Sequence, residues 1–375
     1  MVLDLTRQLA RRLAVRVQLL DRACDLDVVG LAGHLAGIQV DLTEAVARSA
    51  DLVVRARLGA AARPGDLERA QANGALFEHR ARLYPARDVT LMRADMECWP
   101  GPRLRPWQDA YAAWVDDNDA CRRDLIAHLR SDGPLAARDL PDTCVRPWRS
   151  SGWTQGKNVM KLLELMEARG EVAVVGRESR ERVWDLAERV HADRAPVPAP
   201  EAHLEWARRR LAALGIARPR ALEADLEPYD VREVGVKARI AGVRGTWRVE
   251  ESLLADLDDG WETPRTAVLS PLDRLVFDRK RTLEIFEFDY QLEMYKPPAQ
   301  RRWGYWAMPV LHADRLIGKI DATADRDAGV LHVDAVHADG AWDSGVTAAV
   351  HRDLAAMAAW LGLEVRLGPD VTPGR

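Results

Sequence analysis

Gln39 and Asp41 have the residue types and the spacing from which a reaction could be built. The stretch Gly37-Ile38-Gln39-Val40-Asp41 alternates apolar and polar side chains, which predicts an extended segment. In such a segment, side chains at i and i+2 share a face. An amide and a carboxylate then converge, with Val40 turned to the core. A carboxylate can stabilise a developing sugar cation and take a proton from water, as in glycoside hydrolysis. A neighbouring amide can hold that water, because it both donates and accepts hydrogen bonds. The same triplet is more often the solvated face of an edge strand, so the pair alone does not define a site. The sequence carries no HExxH, Walker A, nucleophile-elbow or dinucleotide motif. No Lys stands out as a Schiff-base nucleophile. His332 and Asp334 fall on one face of a predicted strand and His337 on the other, so no metal site is expected there.

The elements that must position the pair are legible from periodicity. Leu5, Leu9, Leu13, Val17 and Leu20 mark one face of an N-terminal helix. Further helices are expected over about Asp27–Ala36, Ala50–Leu58 and Gly65–Ala72, with a strand over Leu76–Tyr84 ended by Pro85. In the middle of the chain, Cys121, Leu125, Ile126 and Leu129 stripe one helix, and Gly133-Pro134 breaks it. Leu135–Leu140 predicts a short second helix and Gly156–Arg169 a third, capped by Gly170. Strands over Glu171–Val175 and Val183–Leu186 follow, around the turn Gly176–Arg180. Three helices and a hairpin are the order of a winged helix-turn-helix.

Pro196-Val197-Pro198-Ala199-Pro200 reads as a stiff linker. Helices over Leu204–Leu214 and Arg220–Leu226 and a strand over Trp247–Glu250 weakly repeat the winged order. Glu223–Glu262 carries eleven acids against five bases, which makes this part a poor candidate for the main phosphate contact. Beyond Ser270, strands are expected over Gln291–Tyr295, Tyr305–Leu311, Arg315–Thr323, Val330–Val336 and Glu364–Leu367, with a helix over Val346–Leu361. The fold class expected is α+β: tandem winged helix-turn-helix units with a C-terminal β-rich, barrel-like unit. The segments are 1–115, 116–195, 200–268 and 269–375.

Composition narrows the class. A chain of 375 residues with 47% hydrophobic and 30% charged residues can bury a sizeable core, which argues against wholesale disorder. The formal charge of −4 excludes a uniformly basic nucleic-acid coat, although not local basic patches. No apolar run approaches the roughly 18 residues of a membrane span, and the amphipathic N-terminus does not read as a signal peptide. The four cysteines, Cys24, Cys98, Cys121 and Cys144, form no CxxC pair and read as buried reduced thiols of a cytosolic protein. Six of the 54 basic residues are Lys, an Arg skew that suits a high-GC bacterial genome.

Several segments resemble the YcaQ family of winged-helix DNA glycosylases, related to the AlkZ crosslink glycosylases. Ile38–Leu58, with Gln39-Val40-Asp41 followed by Ala47-Arg48-Ser49 and Arg57-Leu58-Gly59, resembles the family's Gln-apolar-Asp block. Phe77-Glu78-His79, followed by Pro85 and Asp88, resembles a Trp-Ala-His block, with Phe77 in place of the Trp. Ser151–Val190 resembles the second winged helix. Leu269–Arg326 is the most specific match. The resemblance implies a concave DNA-binding surface of tandem winged helices. It implies a monofunctional enzyme that hydrolyses the N-glycosidic bond of N7-alkylated purines, including interstrand crosslinks. It implies Asp41 as the catalytic carboxylate, Gln39 as the water-positioning amide, His79 as an orienting or packing residue, and no metal or cofactor. The Gln-apolar-Asp spelling is that of the YcaQ (AlkX) branch rather than the Gln-apolar-Gln of AlkZ. The implied partner is double-stranded DNA carrying alkylated bases or crosslinks, met by a monomer at the nucleoid of the bacterial cytoplasm, with no membrane.

Expected phosphate and base contacts are basic residues interleaved with aromatics. They are Lys157, Lys161 and Arg149 around the third helix of the middle segment, and Arg281, Lys296, Arg301 and Arg302 with Tyr305 farther on. Asp273-Arg274 and Asp278-Arg279 are candidate structural ion pairs. A non-enzymatic winged-helix transcriptional regulator is the alternative, because winged helices serve regulators more often; such proteins usually dimerise.

Overall fold

The computed structural model describes residues 2–368 apart from 23, 101–105, 150–156, 179, 192–193, 221–228, 256, 258–260 and 262–263. The chain divides into two compact units: Met1–Asp66 with Trp206–Arg375, and Leu67–Glu205. The N-terminal helix shares its core with residues more than 200 positions away.

In the first unit, strand Val2–Leu5 runs parallel to Val236–Ile240. That strand forms a hairpin with Val243–Val249, which also pairs with Ile216–Ala217. Helix Arg7–Val17 starts where the Thr6 side chain accepts from the Leu9 amide. Its apolar face (Leu13, Ala14 and Val17) is buried in a cluster with Ile216, Trp247, Val249, Leu275 and Ile285. The second layer is a five-stranded sheet in the order Thr266–Val268, Met308–His312, Arg315–Asp325, Val330–Ala338, Glu364–Leu367. Its first four strands are antiparallel; the fifth is parallel to its neighbour. A parallel neighbour needs a crossover, and helix Ser344–Leu361 supplies it, burying Val350, Leu354 and Met357 against the sheet. Register slips at Val310/Leu311 and Asp321/Ala322 accompany the curl of this sheet into a half-barrel.

In the second unit, helix Asp119–Asp132 and helix Asn158–Ala168 pack on the hairpin Val172–Glu178 and Glu181–Leu186 around Trp114, Leu125, Leu162, Met166 and Trp184. Two expectations fail here. The short second helix is instead a strand, Leu135–Ala136, paired with Trp184 and Val183, followed by one 3-10 turn. So short a helix is marginal because its nucleation is costly, whereas the edge of the hairpin is a ready partner. The single strand expected over Leu76–Tyr84 is a hairpin, Leu76–His79 and Arg82–Pro85, reversing at Arg80 and Ala81 with φ of 47° and 56°. Both residues lie in the left-handed region without being glycine, so the turn carried no sequence signature.

Elsewhere, Gln291–Tyr295 is irregular rather than a strand. Most of the helix expected over Arg220–Leu226 lies outside the described residues. Helix Ala199–Leu214 begins earlier than expected, with Pro200 in its first turn, where a missing N–H costs little. No helix of the described residues is long and apolar enough to cross a membrane.

Candidate active site

Gln39 ends the two-residue strand Ile38–Gln39, and the chain leaves strand geometry before Asp41. Ile38 is buried, while Gln39, Val40 and Asp41 are each half-buried, so Val40 is less enclosed than alternation predicts. Asp41 Oδ1 accepts the Thr43 amide at 2.8 Å, an Asx turn that fixes the carboxylate. Asp41 has no further hydrogen bond and no cationic partner among the described residues. Gln39 Oε1 is shielded from solvent and also has no partner. An unsatisfied buried carbonyl of this kind costs about 1–3 kcal/mol.

The turn is held from several sides by the same unit. Ala324 donates to the Ala45 carbonyl at 2.7 Å, which docks residues 44–47 on strand Arg315–Asp325. Val46 and Ala47 are buried with Trp306, Ile320 and Leu331. Ser49 and Ser270 share a hydrogen bond at 2.6 Å. Arg57, fully buried, binds both oxygens of Asp273 at 2.6 and 2.9 Å. Thus the Ile38–Leu58 and Leu269–Arg326 segments meet through their polar residues. Asp273, expected to pair with Arg274, belongs to Arg57.

The loop 289–307 lies beside this turn: Thr43 Oγ1 is 4.0 Å from Met294 Sδ. Glu293 organises the loop, accepting Lys296 Nζ at 2.7 Å and the amides of Arg302 and Trp303 at 2.6 and 2.8 Å. Burial alone would raise its carboxyl, but these bonds outweigh burial and hold it below the usual carboxylate range. Asp321 accepts the Tyr305 and Trp306 amides. Between them, Gly304 has φ of 113°, and a Cβ there would lie 1.8 Å from Asp321 Oδ2. Only glycine lets the loop approach so closely. This presents Tyr305, 41% exposed, with the Arg301 guanidinium 5.1 Å over its ring. Arg302 is exposed and stacks on Trp303. Lys296, Arg301, Arg302 and Tyr305 thus gather on one loop next to the Asp41 turn.

Arg281 does not join them. It is 2% exposed and donates to the carbonyls of Leu214, Ile216 and Leu275, so it is structural and cannot meet a phosphate. His79, Arg149, Lys157 and Lys161 lie in the second unit. Arg149 and Lys157 are exposed. Lys161 is turned over the rings of Tyr111 and Trp148, 3.4 Å from Glu164. His79 is buried, with Nδ1 3.7 Å from Glu167 Oε1. Burial, with repulsion from Arg80 and His191, holds the imidazole well below its usual range. Burial likewise pushes Glu167 up to about 7, which Arg182 opposes. Burial therefore disfavours the charged form of both groups, and the contact is not a conventional ion pair.

Among the described residues, Cys121, Asp142 and Cys144 are the one group of three with metal-ligand types. The Cys121 and Cys144 sulfurs are 3.1 Å apart. Cys98 is exposed and Cys24 and Cys144 are half-exposed, so only Cys121 meets the expectation of a buried thiol.

Residues 32–360 match the family described as "DNA glycosylase AlkZ-like". The chain belongs to this family and is a DNA glycosylase, an enzyme of DNA repair. This removes the non-enzymatic regulator. Among solved structures it is similar to Streptomyces sahachiroi DNA glycosylase AlkZ, at 16% identity with a TM-score of 0.66. The match covers 98% of this chain and 100% of that one, and shows a shared fold.

Proposed function

We propose that this protein hydrolyses the N-glycosidic bond of N7-alkylated purines in duplex DNA, including guanines joined in interstrand crosslinks. In this reading Asp41 activates the water and Gln39 positions it. The observation that carries it is the pair of unmatched acceptors. Gln39 Oε1 is buried without a partner. Asp41 is fixed through one oxygen by Thr43, with no cation among the described residues to neutralise it. An N7-alkylpurine already bears a positive charge. As the C1′–N9 bond breaks, its electrons neutralise the departing base, so no strong general acid is required. The developing sugar cation is stabilised by the Asp41 carboxylate. Water held by Gln39 bonds to C1′ and gives its proton to Asp41, leaving an abasic site.

The helix–strand–helix–hairpin order of residues 119–186 and the hairpin Val236–Val249 support tandem winged helices as the DNA-binding framework. Tyr305 with Arg301 and Arg302 is suited to stacking and phosphate contact near the lesion. We take the enzyme to act as a monomer in the bacterial cytoplasm, at the nucleoid.

The test is base release from an N7-methylguanine duplex and from a nitrogen-mustard crosslink, read as alkali-labile abasic sites. Asp41→Asn is expected to lower the rate by about three orders of magnitude while DNA binding stays near wild type. Full activity of Asp41→Asn would overturn the mechanism.

A further inference from the structure

A groove of about 840 Å³ in the first unit lies outside the site described above, lined by Arg218, Arg220, Arg244, Lys280, Glu284 and their neighbours. Its floor is built. Arg218 sits 4.0 Å over the Trp247 ring. It is forked onto Glu284 at 2.8 and 3.1 Å, and it donates to the Thr246 carbonyl at 3.3 Å. Gly245, at the hairpin, has no side chain to cover it; a Cβ there would meet Arg218 Nη1 at 2.7 Å. The other carboxylate of the groove, Asp278, is engaged in capping a helix by accepting the Arg281 amide.

Arg220, Arg244 and Lys280 are exposed. Each is without a hydrogen-bonding or acidic partner among the described residues. Like charges gathered around one concavity repel, and they raise the local concentration of a polyanion. The groove is far larger than a single phosphate. Its described lining also offers no ring for a base: Trp247 is fully buried beneath Arg218. A free nucleotide would find nothing to stack on, whereas a run of backbone phosphates needs only charge.

We infer that this groove is a docking track for the backbone phosphates of duplex DNA, outside the reacting nucleotide. The inference takes its partner from the DNA glycosylase family and does not depend on the Asp41 chemistry. It also reverses the local expectation from composition, because Arg244 comes from the acid-rich stretch.

The experiment uses the full chain carrying Arg244→Glu with Lys280→Glu, and Arg352→Glu with Arg366→Glu, both exposed and outside the groove, as a control for net charge. Binding to an undamaged duplex is followed by fluorescence anisotropy across a salt series. The double variant is expected to bind at least about 10-fold more weakly at low salt. Its slope of log K against log salt should shrink by about 2, at about 0.9 per lost phosphate contact. Single-turnover base release at saturating enzyme should stay at the wild-type rate. An affinity and slope equal to those of Arg352→Glu with Arg366→Glu would overturn the assignment. So would saturable displacement of the duplex by inorganic phosphate beyond that by chloride at equal ionic strength, because it would mark a single-anion site. Should charge reversal perturb folding, the neutral pair Arg244→Gln with Lys280→Gln loses the same two contacts, and the slope should again shrink by about 2 with a smaller loss of affinity. Because binding is read on undamaged DNA, absence of base release from every substrate would leave this result interpretable.

Discussion

Arg57 and the Gln39–Asp41 segment lie in the same unit, less than 20 residues apart, and the fold treats their polar groups in opposite ways. All five N–H donors of Arg57 are matched: two to Asp273, two to the Gln18 carbonyl and side chain, and one to the Val53 carbonyl. Gln39 Oε1 is matched by nothing, and Asp41 by one backbone amide. Arg57 thereby builds the framework, and in the proposed function the acceptors of Gln39 and Asp41 are what the framework leaves for water and substrate. A buried charge persists where its hydrogen bonds are complete, and unmatched acceptors persist where something else is to be bound.

The largest effect is expected where matching is complete. Arg57→Ala leaves Asp273 buried and uncompensated and should cost about 3–5 kcal/mol, read by urea denaturation. A loss below 1 kcal/mol would mean that the pair does not anchor the turn. A smaller effect is expected in the second unit, at the pair whose charges are suppressed. Glu167 titrates near 7 in the folded protein, against about 4.3 in an unfolded chain. Between those values the folded state binds more protons, so stability falls as pH rises from about 4.3 to 7 and is level above. Glu167→Gln should therefore stabilise the protein by up to about 3 kcal/mol at pH 8 and by little below pH 4. Thermal unfolding at the two pH values checks this, and a gain that does not vary with pH would contradict it. The smallest change in stability belongs to the reserved pair. Gln39→Ala removes an unsatisfied acceptor, so the fold should be unchanged or about 1 kcal/mol more stable. Base release should slow by about 10- to 100-fold. Equal losses of stability and activity would show that Gln39 is structural.

Alternation around Val40 marked Gln39 and Asp41, and apolar periodicity found most helices and C-terminal strands, because both signals are local. The strand Leu135–Ala136 and the Arg80-Ala81 turn were missed for the converse reason. A neighbouring strand and a tertiary setting decide them, and neither residue pair announces it. Basic residues were the least legible feature. Arg279, Lys280 and Arg281 are adjacent, yet Lys280 is exposed, Arg281 is buried on three carbonyls, and Arg279 donates to Val276 and Pro271. Helical rotation sends neighbours to different faces, so a run of charge does not say which member is free.

By itself, the sequence determined the periodic elements and, through Leu269–Arg326, the family, and it put forward Gln39 and Asp41 as the pair on which the proposed chemistry rests. Tertiary structure alone decided that Ser270 and Asp273 seat the Asp41 turn from over 200 residues away. It also decided that Glu293 and Asp321 hold the Tyr305 loop, and that Arg220, Arg244 and Lys280 share one groove. The reason is physical: a residue's type fixes what it can bond to, but only packing fixes which of those bonds the protein satisfies internally and which it leaves for a ligand.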